Sequence, residues 1–287
     1  MPRPTLADFI SQDLARPAKS AITRKVVSLF NDASRGERPT VRRPDGWFGP
    51  KAVAWRVHGD VTAMMAGGVA GLLLQMLHPA VLAGVWDHSN FRADMAGRLR
   101  RTAKFISLTT FGGPDEAQAV VDRVRRIHEG VRGSLPDGTP YAADDPASLA
   151  WVHVAGATSF LKAWMRYAEP ALSLADQDRY FAETARVAQA LGADPIPRTM
   201  AEAQRMLRAA RPQLVCDQRT REVASLVLNQ RTPGLPAPVQ ALILQAGVDL
   251  LPGWARRLHA LPDPVLSRPL VRAATYSLAG TVRWAFR

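Results

Sequence analysis

The chain has 287 residues, 47% of them hydrophobic and 22% charged, which is enough apolar side chain for one large packed core. Its formal net charge of +12 favours anionic partners, but the arginines are scattered, with no zinc-finger spacing, RNP-like aromatic motif or basic tail, so nucleic acid is not expected. The lone cysteine, Cys216, rules out an internal disulfide, and with no continuous apolar signal segment near Met1 the sequence points to the cytoplasm.

Ala, Leu, Val and Arg dominate without alternating β-branched runs, so an all-α fold is expected. Residues 1–50 read as a strap: a short amphipathic helix over Leu6 to Leu14, a second over Ala21 to Phe30, then an Arg-, Pro- and Gly-rich loop. Residues 51–287 read as one large helical domain. Its most apolar stretch, Val61 to Trp86 (VTAMMAGGVAGLLLQMLHPAVLAGVW), has the length of a membrane span. Thr62, Gln75, His78, Pro79 and four glycines interrupt it, so the expectation is a buried central helix, broken near His78-Pro79 where proline lacks a backbone donor.

The next helix, Arg92 to Leu108, places Arg98, Arg101, Thr102 and Phe105 on one face, while Arg100 and Lys104 read as solvated. Gly113-Pro114-Asp115-Glu116 starts another helix, with proline first and carboxylates at the positive dipole end. Ala117, Val121, Val124, His128 and Val131 form its apolar stripe, so His128 faces inward. A histidine there serves either as a core residue with one hydrogen bond or as a ligand. Asp145-Pro146 starts a helix on which Leu149, His153, Gly156, Phe160 and Trp164 share a face, and Gly156 suggests close approach of a neighbour or a flat ligand. Further helices are expected at Asp176–Leu191, Ala201–Ala210 behind a Thr199/Glu202 capping box, Asp217–Asn229, Pro238–Leu250, Trp254–Ala260 and Ser267–Ala285.

Spacing excludes several chemistries. None of the six histidines has a glutamate three residues before it, as carboxylate di-iron bundles require. His-Glu-x-x-His, Gly-x-Ser-x-Gly, a Walker loop, GxGxxG and Cys-x-x-Cys-His are all missing. What survives is an inward histidine beside an arginine and threonine face. That combination suits a non-covalent haem sandwiched between apolar helices, with imidazole as axial ligand and arginine for the propionates.

The succession LLLQMLHPAV, DHSNF, GRLRRT, IHEGV and YAADDPASLAWVH, in that order over about residues 55 to 210, resembles the DUF2236 family, which includes the latex-clearing-protein type of rubber oxygenase and the MpaB-type oxygenases. The resemblance implies an all-α protein holding haem b and using O₂ as co-substrate. By position the family's axial histidine, the metal ligand, falls on His128, and its Arg-x-x-x-Thr motif on Arg98 and Thr102. Where a rubber oxygenase has a distal lysine this chain has Arg101, which stays protonated and cannot ligate iron. Asp87 is a candidate for the distal carboxylate by proximity, with a structural Asp87–Arg salt bridge as its other role; His78 and His88 are kept as pocket or core-network residues.

The resulting expectation is a haem-dependent oxygenase acting on an unsaturated or hydrophobic small molecule, with oxidative C=C cleavage as one outcome. Arg98, Arg101 and Thr102 are its catalytic candidates, stabilising charge that develops on dioxygen. His128, Arg98 and His153 are its cofactor-binding candidates. The electron donor is not identifiable from sequence, and peripheral membrane contact stays open. A haem sensor or carrier, or a basic helical binding module, is the alternative.

Overall fold

The structure, a computed structural model, describes residues 6–31, 36–232, 234–262 and 267–287, with the backbone alone over 6–14. These residues form α1 (Leu6–Phe30), α2 (Val53–His58), α3 (Val61–Gln75), α4 (Pro79–His88), α5 (Met95–Phe111), α6 (Pro114–Glu129), α7 (Pro146–Tyr167), α8 (Leu174–Leu191), α9 (Met200–Ala210), α10 (Gln218–Asn229), α11 (Ala237–Leu250), α12 (Gly253–Leu258) and α13 (Arg268–Ala285). The protein is all-α. Among the described residues the one small sheet pairs β1 (Arg132–Ser134) antiparallel with β2 (Pro140–Ala142), with Gly133 opposite Tyr141.

The order of packing follows from apolarity. α3 carries no charge and buries residues from Thr62 to Leu74, so other helices must cover it on more than one side. α7 and α11 lie along it, with α13 and α2 completing the surround. At its start the Asp60 carboxylate accepts from Ala63 N at 2.7 Å, a side-chain cap. At its end the chain turns by 104° into α4, which begins at Pro79. The expected break at His78-Pro79 is therefore present. Among the described residues no single helix is long and apolar enough to cross a membrane.

α3 and α7 approach closely because small residues face each other. A Cβ on Gly67 would lie 3.0 Å from Phe160 Cα, and one on Gly71 would lie 3.4 Å from Gly156 Cα. The close neighbour expected at Gly156 is thus α3.

One expected element needs correcting. The strap's two helices are one continuous helix, α1, with Pro17 inside it, and α1 packs on α13 and α5; tertiary packing overrides a local breaker. The hairpin and α2 have too few residues for a period to show. The hairpin is held by side chains instead: Tyr141 OH donates to Asp87 Oδ2 at 2.5 Å and His88 Nε2 meets Arg132 O at 3.1 Å.

Candidate functional site

α5 and α6 form an antiparallel pair joined through Gly112 and Gly113. The Asp94 carboxylate caps α5 by accepting from Gly97 N at 2.8 Å, and Glu116 Oε2 closes the start of α6 on Gly113 N at 2.9 Å. This pairing sets the last turn of α6, with His128, beside the first turns of α5, with Arg98 and Thr102. α3, α7, α8 and α11 complete the walls of a cavity of about 390 Å³. Most of its lining is apolar, including Met64, Met65, Leu72, Phe105, Phe160 and Leu244, and Gly68, Gly71 and Gly156 also border it.

Arg98, Thr102, His128 and His153 all line this cavity. Arg98 is half-buried and its Nη1 donates to Ser89 Oγ at 2.8 Å. Burial, and secondarily the charge of Arg101, lowers its pKa from the ordinary arginine value. Thr102 Oγ1 donates to Arg98 O at 3.2 Å. Burial also lowers the pKa of His128, and the Asp144 charge opposes this only in part, so the imidazole is neutral near pH 7. His153 is deeper: burial pushes its pKa to about 4. Its Nε2 is buried and has no hydrogen-bond partner.

Arg101 is not brought into the cavity. Its side chain is 59% exposed and reaches back to Asp94 Oδ2 at 3.3 Å. Arg100, expected on the solvated face, does line the cavity. Lys104, also expected to be solvated, is half-buried, and its Nζ donates to Arg38 O at 2.7 Å, pinning the N-terminal loop to α5. Asp87 serves Tyr141 OH and not an arginine. Neither His78 nor His88 borders the cavity: His78 stands before α4 with its ring 6.2 Å from Trp151.

Sequence reading missed His58. It ends α2, lines the cavity, and is held at both ring nitrogens: Nδ1 lies 2.8 Å from Thr110 Oγ1 and Nε2 lies 2.9 Å from Tyr180 OH. Burial, with a smaller contribution from the nearby His153, drives its pKa to about 3. The segment WRVH, next to the most apolar run of the chain, was the available signal. Three of the six histidines therefore line one apolar cavity, and burial lowers the pKa of each.

Among the described residues no group of three or more His, Cys, Asp or Glu is placed to hold a metal ion directly. The donor set suits a metal that brings its own ligands: no hydrogen bond occupies the His128 ring, apolar side chains line the walls, and the half-buried Arg98 guanidinium stands beside them for a carboxylate. The residues present fit a haem.

Fold and cavity together define an all-α ligand-enclosing protein whose polar groups converge on one apolar chamber. The chain belongs to the family described as ER-bound oxygenase mpaB/B' and rubber oxygenase, catalytic domain, whose model matches residues 55–284. It is an oxygenase domain. No curated protein and no solved structure matches it.

Proposed function

We propose that this protein is a haem b-dependent oxygenase that acts with O₂ on an unsaturated, hydrophobic small molecule. The observation that carries the reading is His128: an imidazole whose pKa burial lowers, free of hydrogen bonds, lining an apolar cavity beside the half-buried cation Arg98. His128 would hold the iron. The bound haem would supply dioxygen activation.

The chain's own groups then have separable tasks. Arg98, oriented by Ser89, offers charge-assisted N–H groups either to a haem carboxylate or to charge developing on oxygen. Thr102 holds its hydroxyl within one helical turn of that guanidinium, and rotation away from Arg98 O would let it donate into the cavity. His153 presents an unpaired ring nitrogen for a ligand or a water. The apolar walls exclude bulk water and select an apolar substrate. Cleavage of a C=C bond into two carbonyl groups takes up both atoms of O₂ and needs no outside electrons, whereas insertion of one oxygen atom needs two electrons and two protons from a donor. Product analysis with and without a reductant separates these outcomes.

The test is the absorption spectrum of protein expressed with ample haem supply, before and after dithionite and then under CO. An intense Soret band that shifts at each step is expected. His128→Ala should lose it, with haem affinity falling by well over the roughly 10–100-fold that outer-shell changes cost. His153→Ala should retain it. A colourless wild-type protein that takes up no added haem overturns the proposal, and the reverse pattern of variants would move the axial role to His153.

A further inference from the structure

On the outside of the molecule α1 and α13 lie together. Thr23 Oγ1 donates to Ala285 O at 3.2 Å, and Lys19 Nζ stands 5.1 Å from the Trp284 ring centroid. Residues 15–31 and 267–287 contain eight basic residues and no acidic one. Arg268, Arg272 and Arg283 of α13 turn to Asp249 and Asp60 in the body of the protein. Arg24, Lys25 and Arg287 are exposed.

α13 has an unusual outer face. Leu270, Ala273, Ala274, Ser277, Thr281 and Trp284 recur at spacings of three and four, so they form one stripe, and all are exposed. The stripe carries no charge along the length of the helix, in a chain of which 22% is charged. Leu270 is 73% exposed, and at the other end Trp284 and Phe286 are 41% and 49% exposed. An uncharged helix face tipped with aromatics and flanked by cations matches the headgroup and upper acyl region of an anionic bilayer. A second copy of the chain fits less well, because two such faces would set like charges against each other.

The cavity lining reaches this pair of helices through α1. Leu29 and Phe30 of α1 line it, about 10 Å along the helix axis from Thr23 at 1.5 Å per residue. Facing them, Leu235 and Gln240 also line it, and Gly234 lies against Lys25 Nζ. We propose that the α1–α13 face docks on an anionic phospholipid bilayer, with the cavity lining at Phe30 and Leu235 next to the lipid surface. Docking depends on this surface alone; uptake of an apolar substrate from the bilayer rests in addition on the oxygenase reading.

The test uses the full chain and needs no activity. In flotation with phosphatidylcholine vesicles with and without phosphatidylserine, the protein should float only with the anionic vesicles. Lys19→Glu with Lys25→Glu should lower partitioning roughly tenfold or more, while Arg205→Glu with Arg208→Glu on α9, which makes the same change in net charge, should have little effect. Brominated acyl chains should quench part of the tryptophan fluorescence, and Trp284→Phe should remove that quenching. No flotation, equal loss in both charge variants, or quenching that survives Trp284→Phe each overturns the proposal. Self-association that saturates without vesicles and is lost in Trp284→Phe would assign the face to a second copy instead.

Discussion

His58 shows what burial does to a single titratable group. With both nitrogens committed and no carboxylate beside it, its neutral form is the only one the fold accommodates, and His153 is under the same constraint. Unfolding would return each to an ordinary pKa near 6.5. Because the folded values are depressed, to about 3 and about 4, the unfolded chain binds more protons in between. Stability is therefore full above about pH 6.5 and falls on acidification, by about 1.4 kcal/mol per pH unit for each proton taken up. Denaturant midpoints at pH 7.5 and 5 should show the fall, and His58→Gln should make it shallower; an unchanged pH dependence would mean that His58 is protonated in the folded state. The site was legible where periodicity and burial agree. Arg98, Thr102, Phe105 and Thr109 follow one face of α5 into the cavity, but Arg101, at its flank, is turned aside by Asp94 seven residues earlier. Helical spacing locates a face to within a turn; it does not tell which neighbour claims a long side chain.

At the scale of helices, ends were legible because capping is local chemistry. Asp145 accepts from Ser148 N, and Thr199 and Glu202 exchange bonds around the start of α9. Contacts between helices were not, since they depend on residues far apart in the chain. The crossing of α11 over α3 is one example: a Cβ on Gly247 would stand 2.5 Å from Val69 Cγ1 and 3.1 Å from Ala66 O. Alanine at 247 gains about 1 kcal/mol of helix propensity, but the backbone oxygen cannot yield as a side chain can. Gly247→Ala is expected to cost a net 1–3 kcal/mol, roughly, read from the denaturant midpoint. Adding Val69→Ala should recover part of the loss, as coupled neighbours do.

Across the whole molecule, one carboxylate ties the C-terminal helix to the body. Asp249, with 1% of its side chain exposed, meets Arg166 at 2.7 Å, Arg268 at 3.3 Å and Arg272 at 2.8 Å, so α7, α11 and α13 share one acid. Burial alone would raise its pKa, but the Arg272 hydrogen bond and the arginine charges hold it below the usual carboxylate range. Asp249→Ala should cost about 3 kcal/mol and make α13 the first site of limited proteolysis; cleavage elsewhere first would show that apolar packing holds α13 without the acid. No sequence pattern announces this tie, because Asp249 lies in a run that otherwise reads as an ordinary apolar helix. The run that forms α3 has a further consequence, which concerns time. Its principal cover, α7, ends at Tyr167, about 90 residues after Gln75, and at roughly 5–20 residues per second the ribosome needs about 5–20 s to make that length. Throughout that interval the emerging chain shows the translation machinery an uncharged, uncovered segment of near membrane-spanning length. What covers the run in the finished protein is a partner that does not yet exist when the run first appears.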